Sequence, residues 1–451
     1  MKLIFRHLPL LLLIGSALFL LFFRLDNSRL APWDEAWYAT IARNIYRTSD
    51  LFNLVFNGKP FFDHPPLGFI LMSLSYRVFG VSELAARLPS ALSGVAAVWL
   101  IYMTATKMSG KRSVGLIAGI VLLSSRWFLI RARTANLEAL LLLVQLAVFY
   151  LSVFSKRYKD LCILWLVFGL SLMVKSVISV TLFPLVAMST ALVLKKEKRI
   201  NPGFLVPFGI ATFPWYWINY TKYGMPFLQR NIFEIAFRGN GGFNTGVTEL
   251  TRTLLYFRSS VHKWYWPSIL SSAWGLVKIK DPIFRWLLLY LFITSIPYFA
   301  SPTTEIWHLL PMLPAVALMI GYATKSVSSL VPKIIREFFV WFSLIAVVIV
   351  AVLSIKSYWP SLYYEWHEAF EAQLAISSRK YPHPLYLQDT TYVPTVVFYA
   401  DRPVTLIWDD KKLVDTIQRP FQIITREHML LDARNFAVVD RAGDTVLAIF
   451  E

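Results

Sequence analysis

Residues 340–355 read VWFSLIAVVIVAVLSI, sixteen positions without one charged side chain. Similar runs with almost no charge occupy Leu8–Phe23, Val114–Ser125 and Leu137–Phe154. Apolar runs of about 18–20 residues are long enough to cross a bilayer as helices. The strands of an outer-membrane barrel would instead alternate apolar and polar residues. The runs therefore predict a mainly α-helical polytopic membrane protein and exclude a soluble enzyme, a disordered chain and a barrel.

The composition of the 451-residue chain agrees with this prediction. Hydrophobic residues make up 56% and charged residues 16%, whereas a soluble domain has about 25% charged residues. The formal net charge is +18, from 45 Lys and Arg against 27 Asp and Glu. The basic residues lie between the apolar runs, so we expect a lipid bilayer as the partner and no nucleic acid. The one cysteine, Cys162, excludes a disulfide framework and a cysteine-based zinc cluster.

Eleven candidate membrane spans can be outlined along the chain. They cover about residues 8–23, 88–106, 113–130, 134–154, 160–174, 176–194, 203–219, 264–277, 283–299, 306–323 and 338–357. A cytoplasmic N-terminus makes the cytoplasmic connections short and basic, as the positive-inside rule requires. The first run has no small-residue cleavage site after it, so we expect it to be retained. We therefore expect a multi-pass protein of the inner or plasma membrane.

This topology predicts two domains. Residues 1–357 form the transmembrane domain, with a first outer loop of juxtamembrane helices at 24–87 and a second outer loop at 220–263. Residues 358–451 form a small extracytoplasmic α/β domain, because strand-like and helix-like stretches alternate there. The strand-like stretches are Thr395–Tyr399, Val404–Trp408 and Phe436–Val439, and a candidate helix lies near Asp410–Gln418.

An acidic pair lies at the start of a predicted amphipathic helix in the first outer loop. Residues 32–46 read PWDEAWYATIARNIY. A proline followed by acids is typical of a helix start, because acids favour the positive helix end. Asp34 and Glu35 either cap this helix or supply a general base at the membrane surface. Both alternatives are open at this point.

Two more acidic or basic positions interrupt apolar sequence. Glu138 begins the run to Phe154, and Lys175 separates two runs. Ionisable groups in such positions are costly and are functional candidates. The alternatives are an internal Arg–Glu ion pair and a lysine that reaches towards the membrane surface.

Further charged residues lie in the predicted outer segments. Asp63 and His64 precede paired prolines, where they either support the turn or bind a phosphate or a metal ion. Together with Glu35 they are candidate ligands of a divalent metal, so a metal cofactor stays open and no other cofactor is expected. The basic residues Arg131, Arg133 and Arg238 favour an anionic partner.

Eight segments carry a family resemblance in a fixed order. They are Trp33–Ala39, Lys59–Leu67, Phe79–Gly94, Ala132–Leu140, Gly169–Lys175, Pro214–Tyr216, Tyr223–Phe227 and His308–Pro314. In this order they resemble the polytopic glycosyltransferases of the GT-C class. The most similar branch is the bacterial one that includes aminoarabinose transferases and dolichyl-phosphate-mannose-protein mannosyltransferase-like proteins.

The resemblance implies transfer of a sugar from a polyprenyl-phosphate-sugar donor at the outer face of the membrane. The acceptor would be a hydroxyl group of a glycolipid, a glycan or a protein. The resemblance implies catalytic roles for Asp34, with Glu35 beside it, and for Glu138, where relatives usually carry Asp; Asn136 is an alternative to Glu138. The donor phosphate is expected to meet a set of basic residues. These are Lys175, which the resemblance implies, and His64, Arg131, Arg133 and Arg238.

Two departures separate the chain from aminoarabinose transferases. Those relatives have Glu-Lys where this chain has Asp63 and His64, and Arg where it has Trp37. The resemblance therefore does not carry aminoarabinose specificity to this chain. We expect Asp34 to act as the general base in a single, inverting displacement.

Two other classes of function compete with an enzyme. A transporter or flippase of a lipid-linked saccharide would carry charges near span centres, whereas here they lie at the predicted outer ends. An envelope binding protein would not need Asp34. A lipid-phosphate phosphatase is disfavoured, because no obvious nucleophile accompanies a basic cluster.

Overall fold

Helices make up most of the chain in the computed structural model, which describes residues 2–32, 34–198, 201–234, 247–299, 305–363, 370–388, 392–407, 417–430 and 435–451. The α-helices are α1 (Lys2–Phe22), α2 (Asp34–Thr48), α3 (Leu67–Phe79), α4 (Glu83–Ser109), α5 (Arg112–Leu123), α6 (Arg126–Ala132), α7 (Glu138–Phe154), α8 (Tyr158–Leu172), α9 (Ser176–Val180), α10 (Phe183–Glu197), α11 (Val206–Tyr223), α12 (Met225–Leu228), α13 (Val247–Val261), α14 (Tyr265–Val277), α15 (Pro282–Phe299), α16 (Leu313–Ser328), α17 (Lys333–Tyr363), α18 (Phe370–Ser378) and α19 (Val393–Ala400). Shorter helical turns include a π-helical turn at Gln229–Glu234 and a 3₁₀ turn at Ile306–Met312.

The chain divides into two compact units. The first comprises Met1–Phe23, Phe62–Gly68 and Pro89–Tyr364. The second comprises Arg24–Phe61, Phe69–Leu88 and Glu365–Glu451.

Small residues let the helices of the first unit approach closely. A Cβ at Gly115 of α5 would lie 2.7 Å from the carbonyl oxygen of Tyr102 in α4. A Cβ at Gly321 of α16 would lie 3.0 Å from the carbonyl oxygen of Val114. Such contacts are typical of helices in membranes, where close backbone packing replaces the hydrophobic effect.

Four helical stretches in the described part of the chain are long and apolar enough to cross a membrane. They are Glu83–Ser109, Ile178–Glu197, Ile306–Ser328 and Lys333–Tyr363. The pair α5 and α6 would make a fifth span, bent by 70°. The count of eleven spans stays a prediction.

The chain bends between α5 and α6, inside the span expected over residues 113–130. Ser124 Oγ donates to the carbonyl oxygen of Ile120 at 2.6 Å, and Ser125 Oγ donates to that of Val121 at 2.8 Å. Serines that bond back to the preceding turn weaken and bend a helix. The Ser124–Ser125 pair therefore ends α5 within the apolar run.

The second unit combines helices with a mixed sheet. Its strands are β1 (Val55–Phe56), β2 (Lys59–Pro60), β3 (Leu385–Leu387), β4 (Thr405–Leu406), β5 (Phe421–Arg426), β6 (Phe436–Ala442) and β7 (Thr445–Phe450). β1 and β2 form a hairpin, and the five-stranded sheet has the order β4-β3-β5-β7-β6. β3 runs parallel to β4 and β5, and β7 runs antiparallel to β5 and β6. Phe421 and Phe450 stack at 4.7 Å in the core of this sheet.

Four sequence predictions, three strands and one helix, fall in this region. β4 covers Thr405–Leu406 of the strand expected at Val404–Trp408, and β6 contains the strand expected at Phe436–Val439. The strand expected at Thr395–Tyr399 is wrong, because these residues lie in α19. Pro394 in the first turn favours the helix, and all eight residues of α19 are buried, so packing outweighs the strand preference of its β-branched residues. Most of the expected Asp410–Gln418 helix lies outside the described residues.

Candidate functional site

Three charged side chains meet inside the first unit. Lys175 Nζ lies 2.8 Å from Glu138 Oε1, and an Arg131 terminal nitrogen lies 3.1 Å from Glu138 Oε2. The side chains of Glu138 and Lys175 are 3% and 9% exposed, and that of Arg131 is 12% exposed. Two positive charges therefore face one negative charge, and all three side chains are largely buried. We call Arg131, Glu138 and Lys175 the charge cluster.

Helix ends bring the charge cluster together. Glu138 is the first residue of α7, and Arg131 lies in the last turn of α6. Lys175 is extended, with φ −147° and ψ 103°, between α8 and α9. The Arg131 guanidinium also lies 4.9 Å from the ring centre of Trp307, a cation–π contact that keeps it beside Glu138. All three residues of the cluster were candidates from the sequence.

Asn136 shapes the connection between α6 and α7. Its Oδ1 accepts a hydrogen bond from the backbone N–H of Glu138 at 2.9 Å. Its Nδ2 donates to the carbonyl oxygen of Arg131 at 2.8 Å, and its own carbonyl oxygen accepts from Ser90 Oγ at 2.8 Å. The geometry therefore favours a supporting role for Asn136, as the residue that sets the spacing of Arg131 and Glu138.

Arg133 contacts the end of α1 and the ring of Tyr363. One of its terminal nitrogens donates to the carbonyl oxygens of Leu20 and Leu21 at 2.9 and 3.1 Å. Its guanidinium lies 4.4 Å from the ring centre of Tyr363. A cation at the last carbonyls of a helix stabilises that end, so Arg133 holds the C-terminus of α1.

The segment that contains Asp63 and His64 is tied to the π-helical turn. Asp63 accepts hydrogen bonds from Arg230 Nε at 2.7 Å and from a terminal nitrogen of Arg230 at 3.3 Å. Arg230 also donates to Glu234 at 2.6 Å. These bonds to Asp63 and Glu234 raise the pKa of Arg230 above its ordinary value. His64, next to Asp63, is partly buried.

Asn231 joins this segment to the residue after Lys175. Its Nδ2 donates to the carbonyl oxygen of Phe62 at 2.7 Å, and its Oδ1 accepts from Ser176 Oγ at 3.3 Å. Sequence reasoning missed both Arg230 and Asn231. The only signal was their position directly after the Tyr223–Phe227 motif.

The expected metal ligands do not form a cluster in the described part of the chain. None of its His, Cys, Asp and Glu residues come together in a group of three or more that could hold a metal ion. The carboxylates of Asp63 and Glu35 are each bound by an arginine. Arg238, another expected phosphate ligand, lies outside the described residues.

In the second unit, both carboxylate oxygens of Glu35 are bound. Arg87 Nε donates to Glu35 Oε1 at 2.6 Å, and a terminal nitrogen of Arg87 donates to Oε2 at 3.1 Å. Oε2 also accepts from the backbone N–H of Ala31 at 2.7 Å. The two side chains are 4% and 5% exposed. Glu35 therefore stabilises the segment 25–31 before α2, which we call the turn before α2.

Asp34 occupies the first position of α2, as the sequence predicts. Its side chain is partly exposed, whereas Glu35 beside it is buried. Of the two adjacent acids, Asp34 is thus the one that a solvent-borne group can reach.

Part of the chain matches known protein sequences. Residues 63–217 match the family described as dolichyl-phosphate-mannose-protein mannosyltransferase. An uncharacterised protein of Aquifex aeolicus is 28% identical over 299 residues, 64% of this chain and 66% of that protein. The undecaprenyl phosphate-alpha-4-amino-4-deoxy-L-arabinose arabinosyl transferase of Yersinia pestis is 34% identical over 117 residues, 24% of this chain and 21% of that protein. The matched part of the chain thus spans less than two thirds of the length of these relatives.

Solved structures share the fold over most of the chain. ArnT from Cupriavidus metallidurans, crystallised with undecaprenyl phosphate, superposes with a TM-score of 0.77 at 17% identity, covering 98% of this chain and 97% of that one. The oligosaccharyltransferase of Archaeoglobus fulgidus, solved with Zn and sulfate, gives a TM-score of 0.58 at 12% identity, covering 88% and 62%. The family match and the apolar helices support a multi-pass membrane protein. The sequence match and the shared fold confirm the predicted resemblance to the GT-C-class family that includes aminoarabinose transferases and dolichyl-phosphate-mannose-protein mannosyltransferase-like proteins.

Proposed function

We propose that the protein is a membrane glycosyltransferase that moves a sugar from a polyprenyl-phosphate-sugar to a hydroxyl acceptor. The observation that carries this proposal is the charge cluster, Arg131, Glu138 and Lys175. The shared fold with ArnT, which was crystallised with undecaprenyl phosphate, supports the same donor class. So does the similarity to the arabinosyl transferase of Yersinia pestis.

The charge cluster suits the phosphate of such a donor. Arg131 and Lys175 together exceed the charge of Glu138 by one positive unit. A phosphodiester carries one negative charge and would neutralise that excess. Charge-assisted hydrogen bonds from guanidinium and ammonium groups to phosphate are strong, and they grow stronger as the leaving phosphate gains charge. In this proposal the cluster binds the donor and stabilises the leaving group.

For Asp34 we propose the role of general base. The acceptor hydroxyl oxygen attacks the anomeric carbon, and the bond from that carbon to the phosphate oxygen breaks. The bonding electron pair leaves with the polyprenyl phosphate, and the hydroxyl proton passes to the Asp34 carboxylate. One displacement of this kind inverts the anomeric configuration. With a cytoplasmic N-terminus, the reaction takes place at the outer face of the inner or plasma membrane.

The sugar and the acceptor are identified by experiment. Purified protein in detergent is incubated with a panel of polyprenyl-phosphate-linked hexoses and pentoses, together with membrane extract as the source of glycolipid, glycan and protein acceptors. We expect one donor to release polyprenyl phosphate and to label an acceptor. The opposing result is movement of the intact donor across a proteoliposome bilayer without release, which would indicate a transporter or flippase.

A further inference from the structure

The C-terminal part of the second unit packs directly on the helix that begins with Asp34. The buried side chain of Arg43 in α2 donates to the carbonyl oxygens of Phe398 at 2.6 Å and Val397 at 3.2 Å, at the end of α19. Arg43 also lies 2.9 Å from Asp401. Asp401 ends α19 in a left-handed conformation, with φ 59°. These contacts fix α19 against the middle of α2.

Tyr399 of α19 reaches the turn before Asp34. Its hydroxyl accepts a hydrogen bond from the backbone N–H of Leu30 at 2.8 Å and donates to Glu83 at 2.8 Å. Tyr399 is 4% exposed and Leu30 is fully buried. Burial raises the pKa of the Tyr399 phenol above its ordinary value, so the hydroxyl keeps the proton that it donates to Glu83. A buried N–H without an acceptor is costly, so this bond ties the turn to α19.

Arg87 holds the same turn from the other side. Its guanidinium donates to the carbonyl oxygens of Leu25, Ser28 and Arg29 at 2.9 to 3.0 Å, in addition to Glu35. The five N–H groups of the guanidinium are all used in these bonds. The carbonyl groups are thus fixed by Arg87, and the N–H of Leu30 is fixed by Tyr399. Asp34 follows this turn by four residues and opens α2.

We infer that the hydroxyl group of Tyr399 positions Asp34, so that the C-terminal domain sets the geometry of the general base. This inference rests on the proposed function, in which Asp34 is that base. Tyr399 is a positioning residue and acts through the backbone of the turn 29–31. The loss of its hydroxyl lets this turn and the first turn of α2 shift, while the charge cluster of the first unit keeps its own contacts.

The test replaces Tyr399 with Phe in the full-length protein, which removes only the hydroxyl. Tyr386→Phe is the matched control, because it removes a hydroxyl from β3 in the same domain. We expect Tyr399→Phe to lower kcat about ten- to a hundredfold, since misplacement of a catalytic group by about 1 Å has effects of this size. The KM for the donor and the affinity for undecaprenyl phosphate stay at wild-type values. Tyr386→Phe keeps the wild-type kcat.

A second measurement follows the order of the segment before Asp34. Hydrogen exchange of the backbone amides in residues 29–35 is followed in detergent, without donor or acceptor. Tyr399→Phe is expected to exchange faster there than the wild type, and Tyr386→Phe is not. A wild-type kcat in Tyr399→Phe, or a lower kcat without faster exchange, overturns the inference. A melting curve of each variant shows that the compared proteins are folded.

Glu83 supplies a second variant and a rescue. Glu83→Ala removes the acceptor of the Tyr399 hydroxyl, and we expect a lower kcat with faster exchange of residues 29–35. Glu83→Gln keeps an oxygen acceptor and is expected to retain the wild-type kcat. If Tyr399→Phe does not fold, a wild-type kcat in Glu83→Ala overturns the inference. If the wild type itself transfers no sugar from any donor, the proposed function fails, and the exchange data alone decide whether Tyr399 orders the turn.

Discussion

Glu138 shares its carboxylate between Lys175 and Arg131, each bound through a different oxygen. Buried charges are tolerated when they are paired, and the removal of one partner is strongly destabilising. Here the carboxylate has two partners, so one cation remains in excess. In the proposed function the three residues therefore have different roles: Glu138 holds the two cations, and the two cations bind the donor phosphate.

Lys175→Gln and Glu138→Gln separate these roles. We expect Lys175→Gln to weaken undecaprenyl phosphate binding about tenfold or more, because one charge-assisted contact is worth about 1.5–3 kcal/mol. We expect Glu138→Gln to lower the stability by about 3 kcal/mol, because two buried cations lose their shared anion. Binding is measured with labelled undecaprenyl phosphate, and stability by unfolding in detergent.

The exposed Lys222 of α11 provides the control for this comparison. Lys222→Gln removes the same charge type from the same unit and should leave binding and stability unchanged. Equal loss of binding in Lys175→Gln and Lys222→Gln would contradict a specific phosphate contact at Lys175.

At the scale of elements, Arg87 organises the start of α2. It lies in α4 and joins Glu35 to three carbonyl groups of the preceding turn. No other natural side chain offers five donors in a planar fork. The turn before Asp34 therefore depends on an arginine that is 52 residues away in sequence from Glu35.

Arg87→Lys keeps the positive charge but removes the planar guanidinium with its five hydrogen-bond donors. We expect a decrease of about 2 kcal/mol in the free energy of unfolding, because buried carbonyl acceptors lose their donors. Thermal unfolding in detergent measures this. Arg77→Lys is the matched control, because Arg77 is exposed in α3 and donates only to Ser49 at 3.0 Å among the contacts described. An equal loss of stability in both variants would show that the guanidinium of Arg87 has no special role.

Local signals in the sequence predict where helices start and which charged residues are candidates for the site. They do not predict the contacts between residues that are far apart in sequence. Pro32 and Asp34 predict α2, and the charges that interrupt apolar runs identify Glu138 and Lys175. Tyr399 and Leu30 are 369 residues apart, so no local pattern indicates their contact. Likewise, α19 has the β-branched composition of a strand, and Pro394 in its first turn together with its burial in the folded chain favours the helix.

At the scale of the whole molecule, the C-terminal residues belong to the same compact unit as Arg24–Phe61. Arg43 and Arg47 of α2 form ion pairs with Asp401 at the end of α19. Burial alone would raise the pKa of Asp401, but the hydrogen bond from Arg47 and the charges of Arg43 and Arg47 hold it below its ordinary value. Burial lowers the pKa of Arg43 to about 10, against the opposing effect of Asp401, so Arg43 stays charged at neutral pH.

This network makes the stability of the second unit depend on pH. A carboxyl group whose pKa is lowered by folding contributes stability above its unfolded pKa of about 3.9 and loses it as the pH falls through the folded pKa. We expect the melting temperature of Asp401→Asn to lie below that of the wild type at pH 7. The difference should shrink as the pH falls below about 4. Asn tolerates the left-handed conformation of this position, so the backbone is not disturbed. A difference that stays constant from pH 7 to pH 3 would contradict the assigned ion pairs.

In the proposed reaction the protein breaks the bond between a sugar and a polyprenyl phosphate, with Asp34 as the base. The most direct test measures the release of polyprenyl phosphate by the wild type and by Asp34→Asn, side by side and with the same donor and acceptor. Asn also favours a helix start, so α2 is preserved. We predict release by the wild type, a rate lower by about 10²–10⁴-fold in Asp34→Asn, and the same affinity for undecaprenyl phosphate in both. Equal rates of release would contradict the account and remove Asp34 from the reaction.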